Sequence, residues 1–350
     1  MHEVVHEIVI AVIAAFAASA FLTSRVRALA LSQGMLDVPN ERSSHDLPTP
    51  RGGGVAIVLT TTLGIIGLTW TATLTPEMSM ALLGGGTLIG IIGFLDDRKR
   101  LSARLRLTVH FIAALWGIAW LGGLPPVHLT SHAIWSGWTG YVLGALGIVW
   151  TLNLFNFMDG IDGLAACEAT FVSWSGALLA VVSGASVAVP ALALVFGAAC
   201  CGFLLWNWPP ARIFMGDAGS GYLGYVIAIL AIAASGDSSV ALVAWLILGG
   251  VFFVDATVTL ARRILRGERA YEAHRTHAYQ WLARRWASHR RVTAIVIAVN
   301  MLWLFPCALL ATIHEDLAWW ILLLALAPLV VAAVAAGAGR YEVPLNGTAG

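Results

Sequence analysis

The sequence predicts an all-α polytopic membrane protein, and two features of its composition carry that prediction. Of its 350 residues, 59% are hydrophobic and only 11% are charged, whereas about a quarter of the residues are charged in typical soluble domains. The 20 lysine and arginine residues all lie between or after long apolar stretches. Charge segregated in this way indicates a membrane protein with one polar working face.

The apolar stretches are long enough to span a bilayer. About 20 residues in a helix cross a hydrocarbon core about 30 Å thick, and backbone groups in lipid must be paired within the segment. We therefore expect about eleven transmembrane helices, at roughly residues 4–24, 53–72, 79–95, 106–123, 138–155, 164–183, 188–206, 219–235, 240–261, 292–312 and 317–337. They form one integral membrane domain, residues 1–338, followed by a flexible cytoplasmic tail, residues 339–350.

The basic residues predict the orientation of these helices. Groups of basic residues follow the first, third and ninth stretches, a single arginine follows the seventh and the eleventh, and the opposite loops contain none. Because basic loops stay in the cytoplasm, we expect the N-terminus outside and the C-terminus inside. The first stretch lacks a preceding positive segment, so we expect a retained span rather than a cleaved signal peptide. Residues 122–137, which contain Pro125 and Pro126, are predicted to form an interfacial hairpin.

Two adjacent acids, Asp96 and Asp97, end the third stretch. Carboxylates at a membrane boundary are costly unless a cation, a proton or an arginine compensates them. They are either a solvated pair beside the basic residues that follow or a pair that organises a metal or a phosphate.

A second group of polar side chains follows the fifth stretch. Asn153, Asn156, Asp159 and Asp162 recur every three residues, a spacing that places them along one side of a helix. Helix capping explains one such residue but not all of them. Four oxygen-bearing side chains on one stripe suit a hard cation or the polar edge of a nucleobase.

A third group precedes the eighth stretch, in the segment Arg212-Ile-Phe214-Met-Gly216-Asp217-Ala-Gly-Ser-Gly. Small residues allow a ligand to approach the backbone, and amides at the start of a helix favour phosphate. Asp217 is then placed to hold a metal that bridges that phosphate. A tight turn between helices is the alternative interpretation.

Two further loops contain candidate anion-binding residues. The His274-Arg275-Thr-His277 segment fits a pyrophosphate clamp better than zinc, because no cysteine or third histidine lies nearby; an ordinary surface helix is the alternative. In the first predicted cytoplasmic loop, Arg42, His45 and Arg51 are further candidates to bind anions, and a purely structural loop is the alternative interpretation.

These motifs, in this order, resemble the polyprenyl-phosphate N-acetylhexosamine-1-phosphate transferase family, glycosyltransferase family 4. The resemblance spans roughly residues 35–280, and the Asn-x-x-Asn-x-x-Asp-Gly-x-Asp-Gly-Leu and Met-Gly-Asp-x-Gly-Ser motifs are its most specific part. The His-Arg-x-His-Ala-Tyr-Gln ending is most similar to the branch that initiates O-antigen synthesis. The chain lacks the histidine triplet of the peptidoglycan translocase branch.

The resemblance implies a role for each matched residue. It implies that Asp217 binds the metal with help from Asn156, and that Asp96 and Asp97 are the paired catalytic acids. It implies that Asp162 and Phe214 contact and stack on uracil with Asp159 beside them, and that His274, Arg275 and His277 bind the diphosphate and sugar. The further candidate substrate-binding residues, taken from the sequence itself, are Asn153, His45, Arg42 and Arg51. Many members carry a lysine where this chain has Ser43, so Arg42 or Arg51 must take that role, or it is missing.

The implied reaction joins polyprenyl (undecaprenyl) phosphate to a UDP-N-acetylhexosamine and releases UMP, with Mg²⁺ as cofactor and Mn²⁺ as its substitute. The site is expected on the cytoplasmic face of a bacterial inner membrane, where a lipid substrate meets a soluble one. No basic domain suggests a nucleic-acid partner, and a homodimer is left open.

Several alternatives remain. The enzyme could initiate teichoic acid or another cell-wall polymer, and the acceptor could attack directly or after a covalent aspartyl intermediate. A lipid-phosphate transporter is the alternative from another class, but transporters place ionisable residues near the bilayer midplane and show related halves. No specificity code in the sequence indicates which sugar is transferred.

Overall fold

The computed structural model describes residues 2–37, 48–99, 101–126, 128–129, 132–133, 137–236, 242–268 and 274–341. The long helices in this part of the chain are α1 His2–Ser32, α2 Gly54–Trp70, α4 Gly86–Lys99, α5 Ala103–Trp120, α6 Trp138–Met158, α7 Leu164–Val182, α8 Ala188–Asn207, α9 Asp217–Gly236, α11 Gly250–Leu265, α13 His289–Val299 and α15 Ala318–Ala336. The shorter ones are α3 Pro76–Met80, α10 Leu242–Leu248, α12 Ala278–Trp286 and α14 Phe305–Ile313.

Each predicted apolar stretch overlaps a helix, so the all-α prediction is confirmed. Within the described residues, eight helices are long and apolar enough to cross a membrane, or up to nine if a bent pair counts as one span. Helix α2, with 17 residues, is shorter than these. Helix α5 begins with Arg104 and Arg106 in its first turns, which leaves it less apolar than the others. The predicted number of spans and their orientation remain predictions.

Some helices depart from the simple spans predicted. Two of them contain a π-helical turn, at Ala81–Gly85 between α3 and α4 and at Asn300–Leu304 between α13 and α14. The predicted span at 240–261 is broken at Gly249, where α10 and α11 meet at an angle of 78°. The two glycines at this point, Gly249 and Gly250, remove the side chains that favour a continuous helix.

Two short antiparallel ribbons join the helices. Strand β1, Leu36–Asp37, pairs with β2, Thr49–Pro50, in the register Leu36↔Pro50. Strands β3, His128–Leu129, and β4, His132–Ala133, pair in the loop between α5 and α6, which confirms the hairpin, while its interfacial position remains a prediction.

Helix α9 forms the centre of the bundle. In its most apolar window 89% of the residues are buried, against 11% in α1 and 17% in the window that contains α15. It packs against α6, α4 and α2. At the contact with α2, a Cβ on Gly54 would collide with the backbone of Gly219, so the two helices approach through small residues. This packing brings together the start of α2, the end of α4 and the start of α9.

The segment before α12 is attached to α11 and to the end of α15. Asp255 of α11 accepts hydrogen bonds from the amides of Ala278 and Tyr279 at 2.8 and 3.0 Å. The Gly339 amide donates to the Thr276 carbonyl at 2.7 Å. These bonds place His274 and His277 beside the end of α6.

Candidate active site

Asp97 connects α4 to the start of α9. Its carboxylate accepts hydrogen bonds from the amides of Asp217 and Ala218 at 2.9 and 3.2 Å. Gly216 has a φ of +79°, and a Cβ there would lie 2.5 Å from an Asp97 oxygen. The sequence predicts that the amides of this helix start bind phosphate, and for this first turn the prediction is wrong. Two of them bind Asp97, while those of Gly219 and Ser220 bind the Gly216 carbonyl.

Arg51 links two of the acids. Its Nε atom lies 2.9 Å from an Asp97 oxygen and its NH2 atom 2.7 Å from Asp217 Oδ1. The backbone beside it is held in place, because the amides of Gly52 and Gly53 donate to the Phe214 carbonyl at 3.1 and 2.9 Å. The predicted anion-binding Arg51 therefore reaches the predicted metal-binding acid.

Arg106 links Asp217 to the remaining acid. One guanidinium nitrogen lies 2.6 Å from Asp96 Oδ2 and 3.3 Å from Asp217 Oδ2. The Leu101 amide donates to the other Asp96 oxygen at 2.5 Å. In the sequence, Arg106 contributes only to the predicted orientation of the helices, and this contact is not predicted. The sequence feature that could have indicated this contact is the position of Arg106 at the start of an apolar stretch, where an unpaired charge is costly.

The predicted stripe of four polar residues on one helix was wrong in part. Helix α6 ends at Met158, so Asn153 and Asn156 lie on it while Asp159 is its C-terminal cap and Asp162 follows in the loop. Asn156 donates to the Ser220 hydroxyl at 3.0 Å and so contacts α9. Glycine follows each of the two aspartates in the sequence, which favours a turn over continued helix.

Asp159 and Asp162 have different surroundings. Burial raises the pKa of Asp159 well above its ordinary value; Arg51 opposes this rise, while Asp217 and Asp97 add to it. The surroundings of Asp159 therefore favour its protonated form more than those of an exposed aspartate would. Asp162 instead accepts a hydrogen bond from the Ala211 amide at 3.0 Å and lies 3.2 Å from His289 Nδ1.

The last loop brings aromatic rings together at the end of α6. The rings of His274 and His277 stack with their centroids 4.9 Å apart, and Phe157 of α6 lies 6.2 Å from His277. His277 is buried, and its Nδ1 atom lies 3.4 Å from Asp255. Its neighbour His274 is half-buried and therefore better placed to meet a ligand.

Comparison with known proteins agrees with this geometry. Residues 79–235 match the model of the family described as glycosyl transferase family 4. The chain is 31% identical over 301 residues to the probable undecaprenyl-phosphate N-acetylglucosaminyl 1-phosphate transferase of Bacillus subtilis (strain 168), a match covering 84% of this chain and 82% of that protein. The chain belongs to glycosyl transferase family 4.

Two other relatives show the breadth of the family. A decaprenyl-phosphate N-acetylglucosaminephosphotransferase of Mycobacterium tuberculosis (strain CDC 1551 / Oshkosh) is 31% identical, and the match covers 79% of this chain and 76% of that protein. A phospho-N-acetylmuramoyl-pentapeptide-transferase of Trichormus variabilis (strain ATCC 29413 / PCC 7937) is 30% identical, with 71% and 69% covered. The family predicted from the motifs is thus confirmed. The O-antigen-initiating branch remains a prediction.

The structure describes two further predicted substrate residues of this family 4 chain, Phe214 and Arg275. Phe214 is half-buried, and its amide donates to the Pro50 carbonyl at 2.8 Å. The Arg275 carbonyl accepts from Arg284 at 3.0 Å. Arg42 and His45 lie outside the described residues. The roles assigned to these positions remain predictions.

The donor atoms suit a hard divalent cation. Asp96, Asp97 and Asp217 supply three carboxylates, while Arg51 and Arg106 supply two positive charges. One negative charge is therefore left in a partly buried cluster, which favours a cation. The described residues contain no group of three or more histidine, cysteine or acidic side chains arranged to hold a metal. Mg²⁺ needs only one or two protein carboxylates and completes its shell with substrate and water.

A cavity of about 140 Å³ opens beside this cluster, between α4, α5, α6 and α9. Its polar lining residues are Arg106, His110, Asn153, Asn156 and Asp217, and its apolar ones include Ile89, Ile92, Leu107, Leu152 and Phe157. Both predicted asparagines of α6 thus face the same space as Asp217.

Proposed function

We propose that this family 4 protein transfers an N-acetylhexosamine 1-phosphate from a UDP-sugar to polyprenyl phosphate, giving polyprenyl-diphosphate-sugar and UMP. The observation that carries the proposal is the position of Asp217, which two arginines join to Asp96 and Asp97 beside a cavity with apolar walls. Such a cluster suits two phosphorylated substrates, one soluble and one lipid. The names of the Bacillus subtilis and Mycobacterium tuberculosis relatives describe the same class of transfer.

The proposed chemistry needs little base catalysis. An oxygen of the polyprenyl phosphate attacks the sugar-linked phosphorus of the UDP-sugar. A new phosphorus–oxygen bond forms, and the bond to the UMP oxygen breaks with its electron pair left on UMP. A phosphomonoester has a second pKa near 6, so most of the acceptor is already ionised at neutral pH. The main barrier is the repulsion between two anions.

The cluster divides this work among its residues. Arg51 and Arg106 supply positive charge where the phosphates meet, and preorganised charges of this kind lower the barrier of phosphoryl transfer. The Asp97 oxygens are occupied by two amides and by Arg51, so Asp97 positions the start of α9. Both Asp96 oxygens are also occupied, by the Leu101 amide and by Arg106, so Asp96 orients the acceptor phosphate through Arg106.

A divalent cation has a place in this scheme. Asp217 would hold Mg²⁺, with the Asn156 amide oxygen and phosphate oxygens in the remaining positions. When bound, the ion would neutralise charge on the diphosphate and on the leaving UMP. Mn²⁺ takes the same oxygen ligands and is the expected substitute.

The location follows from the two substrates. We propose that the ends of α2, α4 and α9 lie at the cytoplasmic face of a bacterial inner membrane, where UDP-sugars are dissolved and polyprenyl phosphate is embedded. The arginines of the described loops support this orientation by the positive-inside rule. Initiation of an O-antigen-type envelope glycan is the proposed cellular role, with initiation of a cell-wall polymer as the alternative.

The experiment uses the full-length protein purified in detergent, undecaprenyl phosphate and a panel of UDP-sugars. Lipid products are identified by mass spectrometry and UMP is measured in parallel. Because two relatives carry N-acetylglucosamine in their names, UDP-N-acetylglucosamine is the first donor to test. One polyprenyl-diphosphate-sugar with equimolar UMP supports the proposal; no lipid product from any donor would overturn it.

A further inference from the structure

A histidine that no motif includes lies next to the acid cluster. His110 is four residues after Arg106 on α5, so the two side chains share one face of the helix. Both line the cavity that contains Asp217. The sequence alone gives His110 no role, because it lies in a predicted apolar span and outside every motif.

One nitrogen of the His110 ring lacks a hydrogen-bond partner in the part of the chain that the structure describes. Among the described residues, its Nδ1 atom is buried and has no hydrogen-bond partner. Buried polar atoms are nearly always paired, so an unpaired one requires an explanation. Arg106, one turn away, disfavours a second positive charge, and a neutral imidazole still has one N–H to donate. The ring therefore has hydrogen-bonding capacity that the protein itself does not use.

The cavity around His110 is too small for a nucleotide sugar. Its volume is about 140 Å³, whereas pockets for drug-sized ligands measure about 300–1,000 Å³. A single phosphate group is a closer fit. Leu107, which lines the same cavity, is 45% exposed, so the cavity reaches the apolar outer face of α5. A phosphate carried on a lipid chain would fit this combination of a polar end and an apolar exit.

We propose that His110 donates a hydrogen bond to the phosphate of the polyprenyl acceptor, beside the charge of Arg106. His110 is then a binding residue for the lipid substrate and does not contact the UDP-sugar. The inference rests on the proposed function, because it assigns one of the two substrates to this cavity.

The test compares His110→Ala and His110→Gln with the wild type, with His314→Ala as a control at an exposed position. In the reaction, His110→Ala should raise the KM for undecaprenyl phosphate about tenfold and leave the KM for the UDP-sugar within about twofold. His110→Gln keeps an N–H donor and should recover part of the loss. An unchanged lipid KM, or an equal rise in both KM values, would overturn the role of His110.

A binding measurement separates this inference from the proposed function. Farnesyl phosphate is titrated into the purified wild type and into His110→Ala, with inorganic phosphate in a parallel titration. About tenfold weaker binding of farnesyl phosphate to the variant supports the inference, even if the wild type forms no product and the proposed function fails. Equal binding by both proteins would overturn it. Equal affinity for inorganic phosphate and farnesyl phosphate would also overturn it, because the site would then belong to a free anion.

Discussion

Asp97 accepts a hydrogen bond from the backbone amide of Asp217 at 2.9 Å. The two residues are 120 positions apart in the chain, yet this bond joins the end of α4 to the first turn of α9. The first turn of a helix carries a partial positive charge, which stabilises the Asp97 carboxylate. Asp217 is thereby fixed where Arg51 and Arg106 both reach it. The predictions below test whether this arrangement performs the chemistry.

Arg106 should contribute more through its geometry than through its charge. One of its guanidinium nitrogens bridges Asp96 and Asp217, and the other N–H groups of the planar guanidinium are left to donate to a phosphate. Arg106→Lys keeps the charge but loses this geometry, and kcat for UMP release should fall about a hundredfold. Arg104→Lys, at an exposed position two residues earlier, serves as the matched control. Equal kcat values for the two variants would contradict the role of Arg106.

Gly216 should tolerate no side chain. Alanine there would have to adopt a φ of +79° and would bring its Cβ within 2.5 Å of Asp97. The backbone strain alone costs about 1–3 kcal/mol. We expect Gly216→Ala to lower both the thermal stability of the purified protein and its activity. Gly67→Ala, in a helix with open space around it, should leave both unchanged; if the two variants behave alike, the close contact with Asp97 is unimportant.

Asp255 should act by holding the last loop. It accepts the amides of Ala278 and Tyr279 and lies close to His277. Asp255→Asn replaces one accepting oxygen with a donor, which weakens the hydrogen bonds that Asp255 accepts from the first turn of α12 by about 1 kcal/mol. We expect the KM for the UDP-sugar to rise while the KM for the lipid stays constant. Asp316→Asn, at an exposed site, is the control. Unchanged kinetics in Asp255→Asn would show that this loop does not contact the donor.

Phe214 should contact the base of the nucleotide. Its backbone is held against the loop between α1 and α2 by the Pro50 carbonyl and by Gly52, so the ring is carried on a fixed segment. Phe214→Ala should raise the KM for the UDP-sugar about tenfold or more, because base–aromatic stacking contributes about 1–3 kcal/mol. Phe214→Tyr should behave like the wild type. A larger effect on the lipid KM than on the donor KM would exclude the stacking role.

The sequence alone predicts the helices and the three clustered acids, Asp96, Asp97 and Asp217. Apolar runs near 20 residues predict helices because lipid leaves the backbone no other partner. The break at Gly249 was not predicted, because a hydropathy pattern averages over a local pair of glycines. Likewise, the spacing of Asn153 to Asp162 suggested a continued helix, although the glycines after each aspartate favour a turn.

The contacts inside the site were harder to predict. The sequence placed Asp97 and Asp217 on one face of the membrane but contained no sign that their segments are bonded to each other. Arg106 and His110 belong to no motif, and their importance depends on α5 packing beside α4. A residue whose role arises from tertiary packing leaves little local signal in one sequence.

The central claim is that Asp217 binds the metal that supports sugar-phosphate transfer. The most direct test measures UMP release and lipid product for the wild type and Asp217→Asn across a Mg²⁺ titration, with Glu315→Gln at an exposed site as the control. The account predicts that EDTA abolishes wild-type activity and that Mg²⁺ restores it. It also predicts that the activity of Asp217→Asn is about a hundredfold or more below that of the wild type at every Mg²⁺ concentration. Activity near the wild-type level in Asp217→Asn, with the same dependence on Mg²⁺, would contradict it.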